Sequence, residues 1–160
     1  MPYPSPVEER EAKAIMVALV VALTFFSLLV LAIPALASPL SPNAIVEASN
    51  ASRVSQGLQA LKVDPGLNKA AQAKADDMEK RHYFAHTSPQ GKNLWTFIFG
   101  AHAKNLTVAG ENLAKGFQSV EFEHTAWLAS PTHKANILDT EWKRTGVGIS
   151  GEYVVQLFAD

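Results

Sequence analysis

Two histidines and one glutamate are the residues of this chain whose types and settings point to chemistry. His86 opens His86-Thr87-Ser88-Pro89, and Glu111 lies in Ala109-Gly110-Glu111-Asn112-Leu113-Ala114. His133 falls within Trp127-Leu128-Ala129-Ser130-Pro131-Thr132-His133-Lys134-Ala135-Asn136-Ile137-Leu138. Each is framed by turn-forming residues, the setting in which side chains from separate loops meet in one cleft. Imidazole and carboxylate together can hold a divalent metal, since two histidines and a glutamate form a zinc set with one open position. They can move protons, because histidine titrates near neutral pH. They can also hydrogen-bond a polar ligand.

The trio spans 47 positions from His86 to His133, and the tight His-Glu-x-x-His spacing of helical metal sites is absent. Spacing alone therefore does not bring the side chains together. Beside the functional readings stands an architectural one, in which the trio is a hydrogen-bonded network pinning loops over a sheet. Ser88 and Ser130 raise a hydrolase, but neither sits in Gly-x-Ser-x-Gly and each precedes a proline, so turn formation or capping accounts for both. Asn112 reads as a turn anchor, Trp127 as core, and His124 as a core histidine with a local partner. His82 and His102 read as solvated loop residues. Asn50-Ala51-Ser52 and Asn105-Leu106-Thr107 match the glycosylation triplet, which is common by chance and is discounted.

The residues must be positioned by a single domain, for which 160 residues suffice. A net charge of −1 gives no basic surface and argues against a nucleic-acid partner. With no cysteine, disulfides and thiolate metal sites are excluded. No charged residue occurs over 14–46, and 15–33 is almost wholly apolar. As a helix, this stretch of about 19 residues reaches about 28 Å, close to the roughly 30 Å of a bilayer core. Ala35-Leu36-Ala37 before Ser38 places small residues where a signal peptidase reads them. The apolar core is longer than that of a usual signal peptide, which speaks against cleavage, so a cleaved signal and an uncleaved anchor stand side by side. Both readings keep residues 1–13 cytoplasmic and place the rest outside the cytoplasm.

After a proline-rich linker at 38–42 comes the domain, 43–160. Ser41 and Pro42 start a helix to about Gln56, ended by Gly57. Asp64-Pro65 starts a second through Arg81, with Leu67, Ala70, Ala71, Ala75 and Met78 on one face. Residues 82–93 form a loop, 94–99 a short helix and 107–113 an extended segment carrying Glu111. Ser119 caps a fourth helix with Glu121 and Glu123 in its first turn, where carboxylates favour the dipole, and Val120, His124, Trp127 and Leu128 share its inner face. Pro131 ends it, and 132–138 forms one short turn. Residues 144–149 and 153–158 are strands of a hairpin turning through Ser150-Gly151-Glu152. The pattern is α+β.

Taken together, Asn50-x-x-Arg53, Gly57-Leu58-x-x-Leu61, Asp64-Pro65-x-Leu67, Tyr83-Phe84-x-His86-Thr87-Ser88-Pro89-x-Gly91, Ala109-Gly110-Glu111-Asn112, Trp127-x-x-Ser130-Pro131-x-His133-x-x-Asn136-Ile137-Leu138 and Gly146-Val147-Gly148 are in an order that resembles the CAP superfamily, or SCP-like domain, in its cysteine-free bacterial form. The resemblance implies a three-layer α-β-α sandwich with a small antiparallel sheet, here preceded by one N-terminal apolar helix. It also implies a cleft tetrad of two histidines and two acidic residues. His86, Glu111 and His133 match three of its positions; the fourth, three residues after Trp127, is Ser130, which weakens any two-carboxylate mechanism.

On this reading the chain is an extracytoplasmic protein, secreted or anchored by one helix. It binds a lipid, peptide, glycan or cell-wall fragment through His86, Glu111, Ser130 and His133, with zinc or calcium as a candidate metal on His86, Glu111 and His133. A hydrolase of peptide or cell-wall amide bonds is the second reading, with His86 or His133 as base and Glu111 as its orienter. A membrane-tethered interaction module without an active site is the third.

Overall fold

Helix starts are set by capping side chains at the positions where the sequence puts serine, aspartate or asparagine. In the computed structural model, which describes residues 38–160 together with Arg10, Lys13 and Met16, Ser41 is extended and its Oγ accepts the N–H of Ala44. With Pro42 in the first helical position it opens α1, Pro42–Ser55; Gly57, at φ +75°, turns the chain away. Asp64 Oδ1 accepts the N–H groups of Gly66 and Leu67 at 2.7 and 3.0 Å and so starts α2, Pro65–Arg81. Asn93 caps α3, Leu94–Gly100, and Ser119 caps α4, Val120–Ala129. Pro131 begins α5, Pro131–Leu138, two turns rather than the single turn expected. The chain divides into two units, Met1–Leu36 and Ala37–Asp160, and all these elements lie in the second. The expected cytoplasmic segment and apolar helix fall outside the described residues. No helix among the described residues is long and apolar enough to cross a membrane.

The sheet has the order β1-β3-β4-β2, with β1 at Lys62–Val63, β2 at Ala109–Lys115, β3 at Arg144–Ser150 and β4 at Tyr153–Ala159. β2, β3 and β4 pair antiparallel as expected, but β1 lies parallel to β3. The expected antiparallel sheet is thus a mixed one. Two residues are too few to show an alternating pattern, so β1 left no trace in the sequence. Ser150 pairs with Tyr153, which narrows the hairpin turn to Gly151-Glu152, with Gly151 at φ +53°.

Alternation along β4 separates the two sides of the sheet. Tyr153, Val155, Leu157 and Ala159 pack with α2 and α3 residues including Leu67, Ala71, Met78 and Ile98. Val154 and Phe158 pack on the other side with Ile45 of α1, Val120 and Trp127 of α4, and Ile137 of α5. The layering is therefore α-β-α. Gly146 and Gly148 let α2 lie directly on β3: a Cβ at either position would come within 2.3 or 2.2 Å of the α2 backbone. The far layer is tied by Arg53, 1% exposed, whose guanidinium donates to the carbonyls of Gln59, Ile137, Asp139 and Trp142. Every branch of this buried cation is thereby satisfied, which is what its burial requires.

Candidate functional site

The edge strand β2 carries the glutamate, and the two helical layers deliver a histidine from each side of it. Glu111 pairs across the sheet with Leu157 and faces the α2 layer, while Asn112 pairs with Gln156 and faces the other. Gly110 is needed beside them, because a Cβ there would meet Trp142 at 3.0 Å and the Asn136 amide at 3.3 Å. An edge strand leaves alternate carbonyls unpaired. Here two side chains take them: Asn136 Nδ2 donates to the Glu111 carbonyl at 3.1 Å and Trp127 Nε1 to that of Leu113 at 3.0 Å. Asn112, fully buried, donates to the His133 carbonyl and accepts from Asn136 Nδ2 at 2.9 Å. The Asn112–Asn136 pair therefore locks α5, and with it His133, to the strand that bears Glu111. Asn112 is the anchor the sequence suggested, but between elements rather than within a turn.

His86 arrives from the loop after α2. Its Nδ1 lies 2.6 Å from Glu111 Oε1. An ionised carboxylate only accepts, so Nδ1 carries a proton toward it and Nε2 is the ring nitrogen left for a further partner. The His86 side chain is 66% exposed, so that nitrogen is open to solvent and ligand, while Glu111 beneath it is buried. Lys74 of α2, fully buried, donates to the His86 carbonyl and stands 3.6 Å from Glu111 Oε2. Burial lowers the Lys74 pKa, and the Glu111 charge opposes that shift. For His133, burial lowers the pKa first, and the His86 ring adds to the lowering by its charge. Among the described residues no hydrogen bond joins the His133 side chain to either member of the His86–Glu111 pair.

His133 also lines a groove of about 270 Å³, together with Phe84, Leu113, Phe117, Trp127 and Ser130. The indole of Trp127 lies tilted against the His133 ring, centroids 6.3 Å apart. The hollow is apolar, with Lys115 at its margin.

Neither serine is paired with a base. Ser88 Oγ accepts the N–H groups of Gln90 and Lys92, and Ser130 Oγ meets Thr132 Oγ1. A divalent metal is poorly suited by these donors. Glu111 Oε1 is engaged by His86 and Oε2 faces the Lys74 ammonium, which holds the place of a cation. Among the described residues no group of three or more histidine, aspartate or glutamate side chains is disposed around one point.

Three features escaped the sequence reading. Lys74 falls in the run of small α2 residues and shows no sign of its burial. Glu123, expected on the dipole-facing first turn, is fully buried with neither carboxyl oxygen hydrogen-bonded, and burial raises its pKa to about 8. Its spacing of three and four from Val120 and Trp127 was the available signal. His124 does have a partner, Ser52 Oγ at 2.7 Å, but it comes from α1 and not from nearby in the chain. Asn50 is held by both groups of Leu61, consistent with its discounted glycosylation triplet.

Residues 46–158 match the family model CAP, described as the cysteine-rich secretory protein family. The uncharacterized protein YkwD of Bacillus subtilis is 40% identical over 118 residues, covering 71% of this chain and 45% of that protein. The uncharacterized membrane protein YlbC of the same organism is 29% identical, covering 74% of this chain and 34% of its own length. The chain thus spans less than half of the curated relatives it matches. Among solved structures, an extracellular protein of Bacillus anthracis containing an SCP domain superposes with a TM-score of 0.71 at 26% identity, over 74% of this chain and 39% of that one. An outer surface protein of Borrelia burgdorferi shares the fold, with a TM-score of 0.68 at 21% identity over 78% of this chain and 98% of its own.

Proposed function

This chain belongs to the CAP family, and from that premise we propose that it is an extracytoplasmic binding module for an amphiphilic ligand, with the ligand's apolar part in the groove beside His133 and its polar group on the His86–Glu111 pair. The observation that carries this is the juxtaposition of a buried carboxylate orienting an exposed imidazole with an apolar hollow that the second histidine lines. Leu113 links the two, two residues along β2 from Glu111 and lining the hollow. Apolar walls with a few placed polar groups are the usual make-up of a ligand site. The extracellular and membrane descriptions of the similar proteins support a place outside the cytoplasm, as does the apolar segment at 14–37. Ligand chemistry remains a class: a lipid, a hydrophobic peptide or a lipid-linked cell-wall fragment.

The test is titration with dodecanoate and with a hydrophobic tetrapeptide, followed by amide NMR shifts. Saturable shifts at Phe84, Leu113, Phe117 and His133, weakened at least about fivefold in His86→Ala, are expected. If His86→Ala and His133→Ala leave binding unchanged while stability falls, the trio is architecture.

The His86–Glu111 pair also favours a second reading, a hydrolase in which Nε2 of His86 takes a proton from water. Neither Ser88 nor Ser130 is paired with a base, so water is the attacking group. Release of amine from cell-wall peptide, reduced about a hundredfold or more in His86→Ala, would establish it.

A further inference from the structure

We infer that the mature protein begins at Ser38 and that its new α-ammonium group is held by the Glu121 carboxylate. Ser38 N lies 2.9 Å from Oε1 and 3.1 Å from Oε2 of Glu121. A peptide N–H has one hydrogen and can satisfy one of these oxygens well; an ammonium has three hydrogens and a full charge, and satisfies both. The segment is laid down to receive it. The Ser38 carbonyl accepts the N–H of Val120 at 3.2 Å, and Pro39 forms an antiparallel bridge with Ser119. Ser38 is also the residue that follows Ala35-Leu36-Ala37, the small-residue pattern a signal peptidase reads. The leader pattern and the Glu121 contact thus fall on the same residue. Glu121 is well suited to hold a cation. The Ser38 N–H is the first of several contacts that draw its pKa down to about 2, so it is charged at any physiological pH.

In the processing step water adds across the Ala37–Ser38 amide. Ala37 leaves with the leader as a carboxylate, and Ser38 keeps the nitrogen, protonated. The catalyst is a membrane signal peptidase. Salt-bridged to Glu121, the new terminus stays on the domain surface, and Ser38 and Pro39 stay docked against α4.

This inference rests on the export reading and not on the cleft. The full chain, leader included, is expressed in a bacterial host, and the exported protein is characterised by intact mass and N-terminal sequencing. Ser38 is the expected first residue. The α-amine is then acylated at pH 8 with an activated ester. A neighbouring carboxylate favours the ammonium form, so the wild-type amine reacts about tenfold more slowly than that of Glu121→Gln. Glu47→Gln, which removes a carboxylate lining the same surface groove as Glu121, keeps the wild-type rate. A different first residue, a retained leader, or equal acylation of wild type and Glu121→Gln overturns the inference. Protein confined to the cytoplasm would overturn the export reading with it; exported protein with the wrong start overturns this inference alone.

Discussion

Glu123 shows how a single carboxyl sets a stability profile. Its pKa of about 8 in the folded protein stands above the ordinary 4.5 because burial penalises the charge. The folded state therefore holds this proton more tightly than the unfolded chain. Its stabilising share is complete below about pH 4.5, declines as pH rises and is gone above about pH 8. Thermal melts from pH 4 to pH 9 should show that decline in the wild type and a flatter profile in Glu123→Gln; parallel profiles would contradict it. Asn112→Ala removes two hydrogen bonds at a buried position and leaves the partners unsatisfied, so a loss of about 2–4 kcal/mol in urea unfolding is expected. Zinc analysis of the purified protein bears on Lys74: with its ammonium beside Glu111, no stoichiometric zinc should copurify, and zinc that vanishes in His86→Ala would contradict this. At this scale the sequence was only partly legible. The three site residues stand out by motif, but the burial of Lys74 and Glu123 depends on which helix face meets the sheet, and two ionisable residues there resemble a solvated face.

Element starts were readable because caps act within four residues. Ser41-Pro42, Asp64-Pro65 and Ser119 announce α1, α2 and α4, and each cap hydrogen bond forms. Asp64 does double duty, capping α2 through Oδ1 and pairing with Arg144 at 3.2 Å through Oδ2. Asp64→Ala should cost about 1–2 kcal/mol, mostly from the lost cap. What the sequence hid are features fixed by long-range contact. β1 exists because the Lys62 N–H reaches the Lys143 carbonyl and the Asp64 N–H reaches that of Thr145. Gly146 and Gly148 fall within the strand read from the sequence, but the reason for glycine there, α2 pressing on β3, is fixed by long-range contact. Gly148→Ala is expected to destabilise by about 3 kcal/mol or more, since the added carbon meets helix backbone and not a movable side chain. Urea unfolding with wild-type-like stability would refute the close-contact account.

For the whole molecule, a family described as cysteine-rich is here represented by a chain with no cysteine. Two apolar clusters on opposite sides of one sheet, the Arg53 clamp and the Asn112–Asn136 lock take the place of covalent staples. The layered α+β architecture was legible because the hydrophobic period changes from helical to alternating along the chain. The pairing of His86 with Glu111, with His133 set apart on the groove beside them, was not, since nothing in 47 positions of spacing tells that β2 is an edge strand approached from both sides. The nearness of His133 to that pair is the central claim, and proton NMR titration of His133 in wild type and in His86→Ala tests it most directly. The account predicts that His133 titrates below the usual 6.5 in the wild type and moves upward when the His86 charge is removed; an identical His133 titration in both proteins would place the two imidazoles apart and contradict it.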